Sequence, residues 1–101
     1  MKWGHKYKAK SCERDGFKFP SQKEARYYDS LKLLRDKGDV LFFLMQVPIH
    51  IGPSTKYVVD FLVFYEDGRC EFIDVKGYDT PLSKTKRTLV EDFLPVKIKI
   101  V

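Results

Sequence analysis

Tyr57-Val-Val-Asp60-Phe-Leu-Val-Phe-Tyr-Glu-Asp67-Gly68-Arg-Cys-Glu-Phe-Ile-Asp74-Val75-Lys76-Gly77 is the stretch on which the fold turns. Two runs rich in β-branched and aromatic residues flank an Asp67-Gly68 turn signal, which predicts a β-hairpin. Asp60 stands alone between Val59 and Phe61, and Asp74 and Lys76 stand two residues apart near the end of the second run. Strand side chains alternate between faces, so Asp74 and Lys76 share one face and Val75 takes the other. Charges inside apolar strands are costly unless something pairs with them.

The loop length decides what faces what. A two-residue turn at Asp67-Gly68 sets Asp60 opposite Val75, away from Asp74. A three-residue loop, Glu66-Asp67-Gly68, is a type I turn followed by a left-handed glycine with a bulge. It sets Tyr65 opposite Arg69 and Asp60 opposite Asp74. Two carboxylates about 5 Å apart repel by roughly 3 kcal/mol at an effective dielectric near 20. A divalent cation between them reverses the sign, and oxygen ligands suit Mg²⁺ or Mn²⁺ better than zinc. Two plainer readings stand beside this one: both acids face water on a half-exposed sheet, or Lys76 simply pairs with one of them.

The chain of 101 residues suits one small domain. Its hydrophobic content of 44% and aromatic content of 15% belong to a globular chain. A net charge of +5 and a pI near 9.2 favour a polyanionic partner such as nucleic acid. No apolar run reaches membrane length and no signal segment opens the sequence, so a cytoplasmic protein without a membrane partner is expected. Cys12 and Cys70 lack metal-ligand spacing and read as reduced thiols.

Residues 1–18 read as a basic, irregular arm in which Trp3, His5 and Tyr7 interleave with Lys6 and Lys8. Such an arm tracks phosphates and stacks on bases, or is a solvated terminus. Asp15-Gly16 marks a turn, with Phe17 and Phe19 in a short extended piece. Ser21-Gln-Lys-Glu24 is a capping-box signature for a helix running to about Lys37 and ending at Gly38. Tyr27, Tyr28, Leu31 and Leu34 form its apolar stripe, and Glu24 falls on the same side. Glu24 either completes the cap or points at the acidic face of the hairpin.

Val40 to Ile51 is a β-rich run that Pro48 assigns to an edge strand or a bulge. Gln46 within it is either an exposed polar residue on an edge or an amide facing the acids. Thr80-Pro81 opens a second helix, about Leu82 to Phe93, that carries Lys84, Lys86 and Arg87. These cations hold a phosphate backbone or form a solvated face. Pro95 ends that helix, and Val96 to Val101 alternates as a last strand.

This order resembles the PD-(D/E)XK nuclease superfamily, with Asp60 as the first motif acid and Asp74-Val75-Lys76 as the second motif. Val59 stands where the motif has proline. More closely the chain is similar to a small phage- and prophage-associated branch. The resemblance is carried by Ser21-Gln-Lys-Glu24-Ala25, Gln46-Val-Pro48, Tyr57-Val-Val-Asp60-Phe61, Asp74-Val-Lys76-Gly77 and Thr80 through Lys84 to Lys86. Ser83 stands where an aromatic residue is expected in that branch. The resemblance implies an α/β (α+β) restriction-endonuclease-like core, αβββαβ, with a mixed sheet of about four strands flanked by helices.

It also implies Mg²⁺-dependent cleavage of DNA phosphodiester bonds, with Mn²⁺ able to substitute. Asp60, Asp74, Glu24 and the Val75 carbonyl are then the metal ligands. Lys76 orients the attacking water, and Gln46 positions a water or the phosphate. Lys84 and Lys86 grip flanking phosphates, with Arg87, Lys6 and Lys8 as further DNA contacts. By analogy with junction-resolving members, a homodimer acting on branched DNA such as a Holliday junction is implied, in a phage or prophage setting. A non-catalytic nucleic-acid-binding module is the alternative, and so is a nuclease for other DNA structures.

Overall fold

The three-residue connection is the one that forms. In the computed structural model, which describes residues 11–101, Gly68 takes φ 93°. Its N–H donates to the Tyr65 carbonyl at 3.1 Å, and the Tyr65 N–H donates to the Arg69 carbonyl at 2.9 Å. This loop joins strand β4 (Lys56–Tyr65) to β5 (Cys70–Asp74), which run antiparallel with Phe64 opposite Cys70 and Phe61 opposite Ile73. One step further, the same register sets Asp60 opposite Asp74.

Upstream lie β1 (Cys12–Arg14), β2 (Phe17–Phe19), helix α1 (Gln22–Lys37) and β3 (Val40–His50). Downstream lie helix α2 (Pro81–Phe93) and β6 (Ile98–Ile100). The main sheet has the order β3-β4-β5-β6, with β6 parallel to β5 and the other pairs antiparallel. The α+β class, the mixed four-strand sheet and the expected αβββαβ order are therefore present, preceded by a small hairpin. Pro48 sits on β3, an edge strand of that sheet, where a missing ladder donor is tolerated.

Both helices begin and end where local chemistry dictates. Ser21 Oγ accepts from the Glu24 N–H at 3.1 Å. Gly38 closes α1 in the left-handed region at φ 91°, with the Asp39 N–H donating to the Leu34 carbonyl at 2.9 Å. Thr80 Oγ1 accepts from the Ser83 N–H at 3.1 Å, and α2 starts with Pro81 at its first turn.

One expectation needs correcting. The sequence reads as an irregular basic arm over residues 1–18, but Cys12 to Phe19 is a β-hairpin. Asp15 and Gly16 both have positive φ, 53° and 85°, the signature of a type I′ turn. Three bonds tie this hairpin to α1: Arg14 to Asp29 at 3.0 Å, Lys32 to Asp15 at 2.7 Å, and Tyr28 Oη to Asp15 at 2.8 Å. Phe17 and Phe19 are extended as expected, whereas Cys12-Glu13-Arg14 has no apolar alternation to announce it. Lys6 and Lys8, with the aromatics around them, lie outside the described residues.

The core divides along β4. Phe61 and Val63 pack with Ala25, Tyr28 and Leu31 of α1, whereas Tyr57 and Val59 pack with Val90 of α2 and Ile98 of β6. Burial of each Val, Leu, Ile or Phe side chain among these stabilises by about 1.5–3 kcal/mol. Asp60 falls on the seam between the two clusters. Cys12 and Cys70 are free cysteines. No helix among the described residues is long and apolar enough to cross a membrane.

Candidate active site

At the seam the β4–β5 ladder changes character. Phe61 and Ile73 form its last backbone rung. The next rung is made by side chains: the Asp60 N–H donates to Asp74 Oδ1 at 3.1 Å, and the Val75 N–H donates to Asp60 Oδ2 at 2.8 Å. Each acid thus accepts from the other strand, which holds the two carboxylates side by side. Asp74 is only 2% exposed. Its Oδ2 accepts from the Tyr57 hydroxyl and lies 3.8 Å from Lys76 Nζ. Burial pushes the Asp60 carboxyl above the usual aspartate range, and the charge of Asp74 adds to that. The Val75 N–H, the Gln46 amide and Lys76 oppose the rise.

Val75 is turned the right way for a further oxygen. The Val101 N–H donates to the Asp74 carbonyl at 3.0 Å, and the Lys76 N–H donates to the Val101 carbonyl at 3.1 Å. The backbone groups flanking Val75 therefore face the β6 side. Those of Val75 itself face β4, as its N–H bond to Asp60 demonstrates.

Glu24 and Gln46 complete the cluster. Glu24 is 4% exposed, and its carboxylate turns to Gln46 rather than back to the Ser21 N–H. Gln46 Nε2 donates to Glu24 Oε2 at 3.3 Å and to Asp60 Oδ1 at 3.4 Å. Burial, with Asp60 and Asp74 nearby, pushes the Glu24 carboxyl up to about 7, against a smaller pull from Lys76. Gln46 reaches both acids from a left-handed backbone, φ 52°, in the middle of an extended strand. Such a conformation costs of order 1 kcal/mol for a residue with a Cβ and persists only where the surroundings enforce it.

Glu24, Gln46, Asp60, Asp74, Val75 and Lys76 therefore meet in one place. The donor chemistry fits a hard divalent cation, since every candidate atom is oxygen and Lys76 offsets only part of the charge. Among the described residues, no group of three or more His, Cys, Asp and Glu side chains forms a ready-made metal shell. The acids stand as a hydrogen-bonded pair, with Glu24 reached through the Gln46 amide.

Residues 4–100 match the family described as a protein of unknown function, DUF1064. The chain belongs to that family. No curated protein matches it. The match takes in every element described above, so the acidic seam lies inside the DUF1064 domain.

Two features of this DUF1064 domain escape sequence reasoning. Tyr57 bonds Asp74 across 17 positions of sequence, and no local pattern announces it. Arg87 needs a correction: it was expected to hold DNA phosphate, yet its guanidinium forms a two-pronged bond with Asp79, at 3.1 and 2.6 Å. It is largely shielded, with 14% of its side chain exposed, and it lies close enough to Tyr57 to favour ionisation of that hydroxyl. Tied to Asp79 and part-buried, Arg87 is less open to a phosphate than its helix neighbours. Lys84 and Lys86, on the same helix, are exposed as expected.

Proposed function

We propose that this chain is a Mg²⁺-dependent DNA endonuclease of the PD-(D/E)XK type that acts on branched DNA such as four-way junctions, as a homodimer. One observation carries the reading: Asp60 and Asp74 sit on adjacent strands and brace each other, with Lys76 beside them and buried Glu24 linked through Gln46. Structural acids are ordinarily neutralised by partners. Here three acids gather around one nearby ammonium, and the Glu24 carboxyl is pushed up to about 7. Clusters with shifted carboxyls of this kind concentrate at functional sites.

Asp60, Asp74, the Val75 carbonyl and Glu24 would hold Mg²⁺, with Mn²⁺ as a substitute. Bound there, the ion supplies Lewis acidity to a phosphate oxygen and lowers the pKa of a water. Lys76 orients the attacking water and offsets charge developing on the phosphate. The Gln46 amide positions that water or the phosphate. Lys84 and Lys86 grip flanking phosphates, in keeping with a net charge of +5. Two sites related by a two-fold axis suit a two-fold symmetric junction. Half-exposed Phe42 and Leu44 on edge strand β3 support the dimer, as an apolar face a second copy can cover. The reading puts the protein's work beside DNA in the cytoplasm of a phage-carrying bacterium.

A gel assay on a four-way junction, a fork and a linear duplex, with and without Mg²⁺, tests this. Paired nicks in the junction arms that need Mg²⁺ and vanish in Asp60→Asn are the expected result. Salt-sensitive binding to all three DNAs with no cutting would leave a binding module instead.

A further inference from the structure

We infer that the hollow beside the acids is a pocket for one unpaired nucleobase, next to the bond to be cut. The inference rests on the nuclease reading and names what that site selects. A cavity of about 480 Å³ opens beside Glu24 and Asp60. That lies within the roughly 300–1,000 Å³ typical of small-ligand pockets. Phe17, Phe19 and Met45 give it an apolar wall, and the Gln46 amide stands at its polar side.

Its chemistry selects a flat, neutral ring. Phe17 is 48% exposed although Phe19, on the same strand, is buried. The Phe17 ring meets Tyr28 at 6.1 Å in a T-shaped contact, which occupies one face at most and leaves another free to stack. A bare anion is disfavoured so close to Asp60 and Glu24. A nucleobase satisfies both sides, with a face on Phe17 and a hydrogen-bonding edge toward Gln46. A base inside a duplex is stacked on both faces and must be unstacked, at a cost in free energy, before it can enter. A base that is unpaired, or whose stacking is interrupted at a branch point, enters at lower cost, so the pocket favours branched DNA without any reading of sequence. Lys18 also lines the cavity and is exposed, suited to the adjoining phosphate.

The test is a binding cycle with the full chain. The DNA is a duplex carrying one unpaired thymidine, or the same duplex with an abasic nucleotide there. Ca²⁺ replaces Mg²⁺ so that the complex stays uncut, and affinity is read by fluorescence anisotropy. The wild-type protein should bind the thymidine duplex at least about fivefold more tightly than the abasic one, the lower bound for stacking on an aromatic side chain. Phe17→Ala should erase that difference by weakening only the thymidine duplex, and Phe17→Tyr should keep it. Should Phe17→Ala lose its cooperative melting, Phe17→Leu retains bulk without a stacking face and carries the same expectation. Equal wild-type affinity for the two duplexes, or equal weakening of both by Phe17→Ala, overturns the pocket. A base preference without Mg²⁺-dependent cutting of any DNA would overturn the nuclease reading and leave the pocket standing. Cutting without a base preference would do the reverse.

Discussion

Replacing Glu24 by glutamine should stabilise the metal-free protein, and the structure sets the size of the effect. Glu24 is 4% exposed, and its burial, with the charges of Asp60 and Asp74 added, raises its carboxyl from 4.5 to about 7. A raised folded-state value means that the folded protein binds the proton more tightly than the unfolded chain. Folding is therefore penalised once the group ionises. The penalty is absent below about pH 4.5, grows through the interval up to about 7, and is complete above it. A shift of that size corresponds to about 3 kcal/mol. Glutamine keeps an oxygen for the Gln46 amide and cannot ionise, so Glu24→Gln should gain up to that amount at pH 8 and almost nothing at pH 4.

For a chain of this length the full gain amounts to roughly 12–24 °C in Tm. Urea unfolding and thermal melts in EDTA at the two pH values provide the assay. Added Mg²⁺ at pH 8 should then raise the wild-type Tm more than that of the variant, since a ligand bound only by the folded state stabilises it. A variant no more stable than wild type at pH 8, or equally stabilised at pH 4, would refute the electrostatic account of the site.

Four further outcomes follow from the same geometry. Asp60→Asn should abolish Mg²⁺-dependent cleavage in the gel assay while DNA affinity holds or rises, since it removes a negative charge and keeps an oxygen for the Val75 N–H. Tyr57→Phe should lower stability by about 2 kcal/mol in urea titrations, because a buried carboxylate loses a donor. Gln46→Gly relieves the positive φ, worth about 1 kcal/mol, but takes the donor from Glu24 and Asp60, so stability in urea should fall or stay level while cleavage slows. The double change Lys84→Ala and Lys86→Ala should reduce the salt dependence of DNA binding by a slope of about 2, whereas Arg87→Ala should lower Tm and leave that slope unchanged.

What could be read in advance, and what could not, follows the range of the interactions. The Asp67-Gly68 signal announces a hairpin, but a left-handed Gly68 suits a two-residue and a three-residue loop alike, so the sequence leaves two registers open, and only the observed three-residue loop decides for the one that places Asp60 opposite Asp74. Ser21, Gly38, Thr80 and Pro81 act within a turn of their helices, so their positions in the sequence bound α1 and α2 closely. The β1–β2 hairpin is legible at its Asp15-Gly16 turn and in the extended piece at Phe17 and Phe19, but not at Cys12–Arg14, where Glu13 and Arg14 leave no apolar alternation. Arg87 looked like one more exposed cation because its partner, Asp79, lies just before the helix and outside its periodic pattern. The bond from Tyr57 to Asp74 depends on how the strands diverge after Phe61 and Ile73, which no spacing encodes.

The departures from regular structure coincide, and their coincidence is the strongest internal argument for a site. A left-handed glutamine in a strand, a ladder that stops and continues through carboxylates, and a helix-cap glutamate that turns away from its cap are separately unfavourable. They fall at Gln46, Asp60, Asp74 and Glu24, four residues on four different elements linked by hydrogen bonds of 3.1–3.4 Å. A fold shaped for stability alone has no reason to place its exceptions together, and each is cheaply replaced by a residue that obeys the local rule. Natural chains break such rules chiefly where function requires it. If Glu24→Gln stabilises the protein while slowing cleavage, the cost of that exception will have been measured against what it does for the chemistry.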